Sequence, residues 1–236
     1  MRIYIAIVFV SILTTSCSVY RTNVAYSPLF TNKGEIQAGA CGSGSGFDYQ
    51  LAYAITNHIG IYGAQSIQKA ATKVYMSDSI FHGHNYKEIA LGYYSRKDLT
   101  KRFEVFGGLG NGTMKGMLTS PSMISGMPAR IDYRMDGKAN YYFIQTTVGN
   151  TKKKSDKGFI CRLEYVKLAD DFTKTNMLLL RPAFFNRFGG KNFKITTSLG
   201  FCLPVYSNVS KEIYSTYYPY FNFSMGIQLF LKKYSL

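Results

Sequence analysis

From Lys33 onward the chain repeats one motif: about ten residues alternating between apolar and small polar side chains, followed by a turn. In YFNFSMGIQLFL (220–231), Phe221, Phe223, Met225, Ile227, Leu229 and Leu231 fall on one face. Tyr220, Asn222, Ser224, Gly226 and Gln228 fall on the other. A period of two with unlike faces marks a strand. The split recurs in GFICRLEYVK (158–167), where Phe159, Cys161, Leu163 and Tyr165 oppose Arg162 and Glu164. In NYKEIALGYYS (85–95), Ile89, Leu91 and Tyr93 oppose Glu88, Ala90 and Gly92. Ten such segments are predicted, near 34–41, 46–56, 59–68, 84–95, 102–112, 138–150, 157–168, 176–186, 193–202 and 219–231.

The polar face carries Gly, Ala, Ser, Thr and Gln with few charges, and the lysines lie between segments, as in RKDLTKR (96–102) and TKKKSDK (151–157). Small polar residues inside, large apolar ones outside and charge at the ends is the pattern of a membrane-spanning barrel. The sequence therefore predicts an all-β chain: a single antiparallel up-and-down β-barrel of about ten strands, with eight as the smaller alternative. Connections after strands two, four, six and eight (57–58, 96–101, 151–156, 187–192) are short. The long ones, 69–83, 113–137 and 203–218, all fall at the opposite end and are expected to be surface loops. A soluble, tethered barrel that binds an apolar ligand inside is the alternative, and it would need the reverse facing.

Composition supports strands: 20 Tyr, 17 Phe and 22 Gly, with no Trp. The net charge of +15 would by itself suit nucleic acid. The N-terminus changes that reading. Arg2, the apolar run Ile3 to Leu13, and the small residues Thr14, Thr15 and Ser16 form a signal peptide too short to span a bilayer. Cys17 follows at once, and the stretch resembles a bacterial lipoprotein signal in the relaxed form common in Bacteroidota. The expected organisation is a signal peptide (1–16), a tether acylated at Cys17 (17–33) and a barrel domain (34–236) in the outer membrane. The expected partner is membrane lipid, with no nucleic acid, and the lysines face an anionic membrane surface.

The run PLFTNKGEIQAGACGSGSGFDYQLAYAITNHIGIYG (28–63), with YKEIALGYYS (86–95) and RFEVFGGLGNG (102–112), resembles a Bacteroidota family of small outer-membrane β-barrel-like lipoproteins of unassigned function. The resemblance implies a barrel and a lipid anchor, and no chemistry.

Candidate chemistry is sparse. GSGSG (42–46) has the letters of a nucleophile elbow, but a strand follows it where a helix is required. GGLGNG (107–112) lies in a strand, where its glycines let bulky lumen side chains pack closely. His82 and His84 are weak metal candidates with only Asp78 nearby, and His58 is expected to close a tight turn. No catalytic residue and no cofactor are expected. On the inward face, Glu88, Glu104, Arg162, Glu164 and Arg181 are expected to form a charged lumen network that holds the barrel together or lines a narrow channel. Gln37, Gln50, Gln145 and Gln228 share that face. Unpaired buried charges are costly, so these groups must pair. Counting back from the short loop near 172 sets Glu164 against position 180 and within reach of Arg181. Cys41, Cys161 and Cys202 are expected to remain free thiols.

Overall fold

The computed structural model describes residues 25–43, 46–75, 78–96, 98, 100–124, 127–170, 174–207 and 221–232. Every regular element among them is a strand: β1 (Ile36–Ser43), β2 (Gly46–Ala54), β3 (Ile59–Tyr75), β4 (Asp78–Arg96), β5 (Lys101–Ile124), β6 (Met127–Thr151), β7 (Ser155–Asp170), β8 (Lys174–Gly189), β9 (Phe193–Phe201), β10 (Leu203–Ser207) and β11 (Phe221–Lys232). Each of β1 to β8 pairs antiparallel with the next, β8 pairs β9, β9 pairs β11, and β11 returns to β1. Ten strands thus close a barrel. The short β10 continues the ladder of β9 on β8, since Phe184↔Leu199 and Leu180↔Leu203 keep one register across Cys202.

Register fixes the barrel's geometry. From Tyr49 in β2, the row of paired residues runs through Gln65, Lys87, Asn111, Asn140 and Lys167 and meets β8 at Asn176. Traced the other way, through Ala40, Ile227 and Ile195, it meets β8 at Phe188. The row therefore closes 12 residues out of step (188 minus 176). A stagger of that size over ten strands tilts them by about 40° from the barrel axis.

The four connections at one end, the turn end, are short, as the sequence predicts. The other end differs from expectation. Segments 69–83 and 113–137, expected as loops, are mostly strand: β3 pairs β4 out to Tyr75↔Asp78, and β5 pairs β6 out to Ile124↔Met127. They form ribbons that project past the barrel proper. In the third expected loop, 203–207 is strand β10, and 208–220 lies outside the described residues.

Facing follows the predicted parity. Phe223, Met225, Ile227, Leu229 and Leu231 of β11 are exposed on the outer wall, as are Ile89, Leu91, Tyr93, Leu163 and Tyr165. Ser224, Gln228, Glu88, Arg162 and Glu164 are buried inside. The outer wall is thus apolar and the lumen polar, the opposite of what a soluble ligand-binding barrel requires.

Candidate functional site

The lumen is filled in layers. Near mid-barrel, Tyr62, Phe106, Phe143 and Tyr141 pack edge-on or stacked, with ring centroids 5.1–6.5 Å apart. Their bulk fits because the positions paired with Phe143 and Tyr141 on β5 are glycines. A Cβ at Gly108 would strike Phe143, and one at Gly110 would strike Tyr141. Both glycines belong to GGLGNG, whose Gly107 points outward into open space.

Against these rings lies a chain of charges. Arg162 Nη2 donates to Glu88 Oε2 at 2.7 Å, Arg162 Nε lies 3.5 Å from Glu164 Oε2, and Arg181 Nη1 donates to the same oxygen at 2.5 Å. The Arg162 guanidinium also lies 3.5 Å above the Phe143 ring. In the register, Glu164 stands opposite Leu179 and Arg162 opposite Arg181, so the Glu164–Arg181 contact is diagonal. Two acids and two bases are held away from water in a locally neutral set.

Glu104, expected in this network, does other work. Residues 26–31, expected within a tether, are buried against lumen side chains at the turn end of the barrel. Glu104 accepts from Ser27 Oγ at 2.6 Å and from the Phe30 backbone N–H at 2.9 Å. Arg187 donates to the carbonyl oxygens of Ser27 and Pro28, and Gln145 Nε2 donates to the Tyr26 carbonyl at 2.6 Å. Tyr26 Oη donates to Gln37, Gln228 donates to both, and Glu35 accepts from Gln37 and Thr31. Phe30 and Leu29 sit where Gly60 and Gly149 leave room. Those two inward glycines at the turn end were the sequence signal for a docked segment. Below it, Lys194 and Asp156 form a buried pair at 2.7 Å. Arg187, Lys194, Asp156 and Glu35 escaped the sequence reading because they sit at strand ends, where charge is expected to face water.

The turns are built from short polar bonds. Thr56 Oγ1 accepts from the His58 and Ile59 amides, and the His58 ring stacks on Tyr93. Asp98 accepts from the Lys101 and Thr100 backbone amides and from the Thr100 hydroxyl. These bonds, the Lys101 amide's first, hold its carboxyl down at about 2.

One pair suggests chemistry. Ser66 Oγ lies 2.9 Å from His84 Nε2, both buried, and Asp48 faces Ser66 across the β2–β3 ladder. The carboxylate therefore neighbours the serine, whereas a nucleophilic triad needs it behind the histidine. His84 also stacks on Tyr86, at 4.6 Å between centroids. No group of three metal-binding side chains occurs among the described residues, and the side chain of His82 lies outside them. GSGSG spans the β1–β2 turn and runs into a strand, with residues 44–45 outside the described set. Cys41 and Cys202 are buried inward, Cys161 is half-buried on the outer face, and all three are free.

No protein-family model matches the chain, and no curated protein does. Among solved structures it is similar to the outer membrane protease OmpT from Escherichia coli, at 9% identity over 89% of this chain and 99% of that one, with a TM-score of 0.49. It is also similar to the KdgM porin, at 14% identity over 83% and 98% with a TM-score of 0.35. LpxR from Salmonella typhimurium follows, at 8% identity over 84% and 100% with a TM-score of 0.38. The barrel assignment rests on the chain's own register and facing.

Proposed function

We propose that this protein is a lipid-anchored outer-membrane β-barrel with a structural or surface-interaction role, non-enzymatic and closed to diffusion. The observation that carries the reading is the inverted facing: large apolar side chains are exposed on the outer wall of a closed barrel, around a lumen of paired charges. A closed barrel leaves no unpaired strand edge and can satisfy its backbone in lipid. The filled lumen argues against a channel, since Arg162 and the rings around it occupy the bore and residues 25–31 cover its turn end.

The short turns and the docked N-terminal segment share one end, which this reading puts in the periplasm. Acylation of Cys17 there would hold the chain to the inner leaflet, and the resemblance over 28–112 to Bacteroidota lipoproteins points the same way. Purified protein in a planar bilayer should show no steady conductance, and a stable open-channel current would overturn the sealed lumen. Cys17→Ser protein grown with radiolabelled fatty acid should carry none, because a hydroxyl does not replace the thiol as acceptor. Label retained by that variant would move the anchor elsewhere.

A further inference from the structure

Charge is divided unevenly between inside and outside. Among the described residues the buried charges nearly balance: Glu35, Asp48, Glu88, Glu104, Asp156 and Glu164 against Arg102, Arg162, Arg181, Arg187 and Lys194. On the exterior, among the residues whose burial is described, 13 lysines are exposed against one exposed acid, Asp98. Seven of those lysines (33, 101, 152, 153, 154, 157 and 191) ring the turn end, and six (69, 87, 115, 138, 167 and 174) stand on the outer wall.

The wall lysines begin at one register row. Outward residues Gly63, Ile89, Leu109, Tyr142, Tyr165 and Leu178 form an apolar row across β3 to β8. Two residues further along each strand, every outward position is polar: Gln65, Lys87, Asn111, Asn140, Lys167 and Asn176. Six strands change character at the same step, with two tyrosines at the border, along a row that climbs from β3 to β8. On this polar side the wall has a depression of about 380 Å³, lined by Asn85, Lys87, Asn111, Thr113, Lys138 and Asn140 with Gly112 and Ala139 at its floor. Glu88, next to Lys87, is buried on the lumen side, and Asp136 stands across the ladder from Lys115.

Building on the membrane reading above, we propose that this depression binds the phosphorylated headgroup of an outer-leaflet lipid. Two ammonium groups match a phosphate's charge, and three amides and a hydroxyl can bond its oxygens or neighbouring sugar hydroxyls. Ile89, Leu109 and Tyr142 lie directly beneath, where acyl chains would run. That continuity favours a lipid over free phosphate, which gains nothing from an apolar border.

The test reconstitutes the full chain in phosphatidylcholine vesicles containing a minor fraction of diphosphorylated glucosamine lipid. The protein is extracted in mild detergent, and retained lipid is counted by native mass spectrometry. Wild type should retain the phosphorylated lipid in preference to phosphatidylcholine. Lys87→Ala/Lys138→Ala should weaken that retention roughly 25-fold, at about fivefold per lysine. Lys152→Ala/Lys153→Ala, matched in charge at the turn end, should retain lipid as wild type does. No preference in wild type, equal loss in both variants, or displacement of the lipid by millimolar inorganic phosphate would each overturn the proposal. Flotation with plain phosphatidylcholine vesicles separates the two readings. All three proteins should float, and failure of wild type to do so would count against membrane insertion itself.

Discussion

Arg162 is wholly buried, and Glu88, Glu164 and the Phe143 ring answer its charge. Removing one member of such a set typically costs about 3–5 kcal/mol, mostly because the remaining charge is stranded. Glu164→Ala takes a carboxylate from Arg181 and one of two acids from Arg162. The heat-modifiable gel shift should therefore move to clearly lower temperature. Adding Arg181→Ala should recover part of the loss, since Arg162 keeps Glu88. A single variant that melts like wild type would mean the chain of charges is solvated. Strand parity made this network legible, because Arg162 and Glu164 are two apart and must share a face. Pairing was nearly legible too, with position 180 expected opposite Glu164 and Leu179 found. Glu104 was misassigned because parity gives a face and not a partner. Its partner belongs to a segment with no strand period of its own.

At the scale of elements, the glycines of β5 separate steric need from habit. Gly108 and Gly107 are adjacent, yet a Cβ meets Phe143 and a backbone oxygen at the first and nothing at the second. Overpacking a tight wall costs about 1–3 kcal/mol, whereas a change at an open exposed site stays within about 0.5 kcal/mol. Gly108→Ala should lower the gel-shift midpoint and Gly107→Ala should not. Equal effects would refute the ring-against-glycine packing. The elements the sequence hid have a common cause. Alternation is visible only where a strand has two unlike faces, and the ribbons 69–83 and 113–137 extend beyond the wall that makes the faces unlike. The docked segment 25–33 hid for a different reason. Its Leu29 and Phe30 are adjacent and so show no period of two, and the glycines opposite them, 60 and 149, betray a binding groove.

At the scale of the whole molecule, a ten-strand barrel with a stagger of 12 has its rows inclined to its rim. The polar row from Gln65 to Asn176 therefore rises around the wall. Its apolar border lies low on β3 and high on β8, where the outer face from Leu178 to Phe188, apolar but for Asn186, spans about 25 Å along the axis at that tilt. The inward-polar, outward-apolar assignment underlies everything proposed for the molecule, and nitroxide accessibility tests it most directly. In a background lacking Cys41, Cys161 and Cys202 but keeping Cys17, spin labels placed at Leu109, Phe223 and Gln228 are read in reconstituted vesicles against oxygen and a water-soluble nickel chelate. Labels at Leu109 and Phe223 should collide with oxygen far more than with the chelate, while the label at Gln228 should be shielded from both. Leu109 and Phe223 labels open to the chelate would place the apolar wall in water and contradict the account.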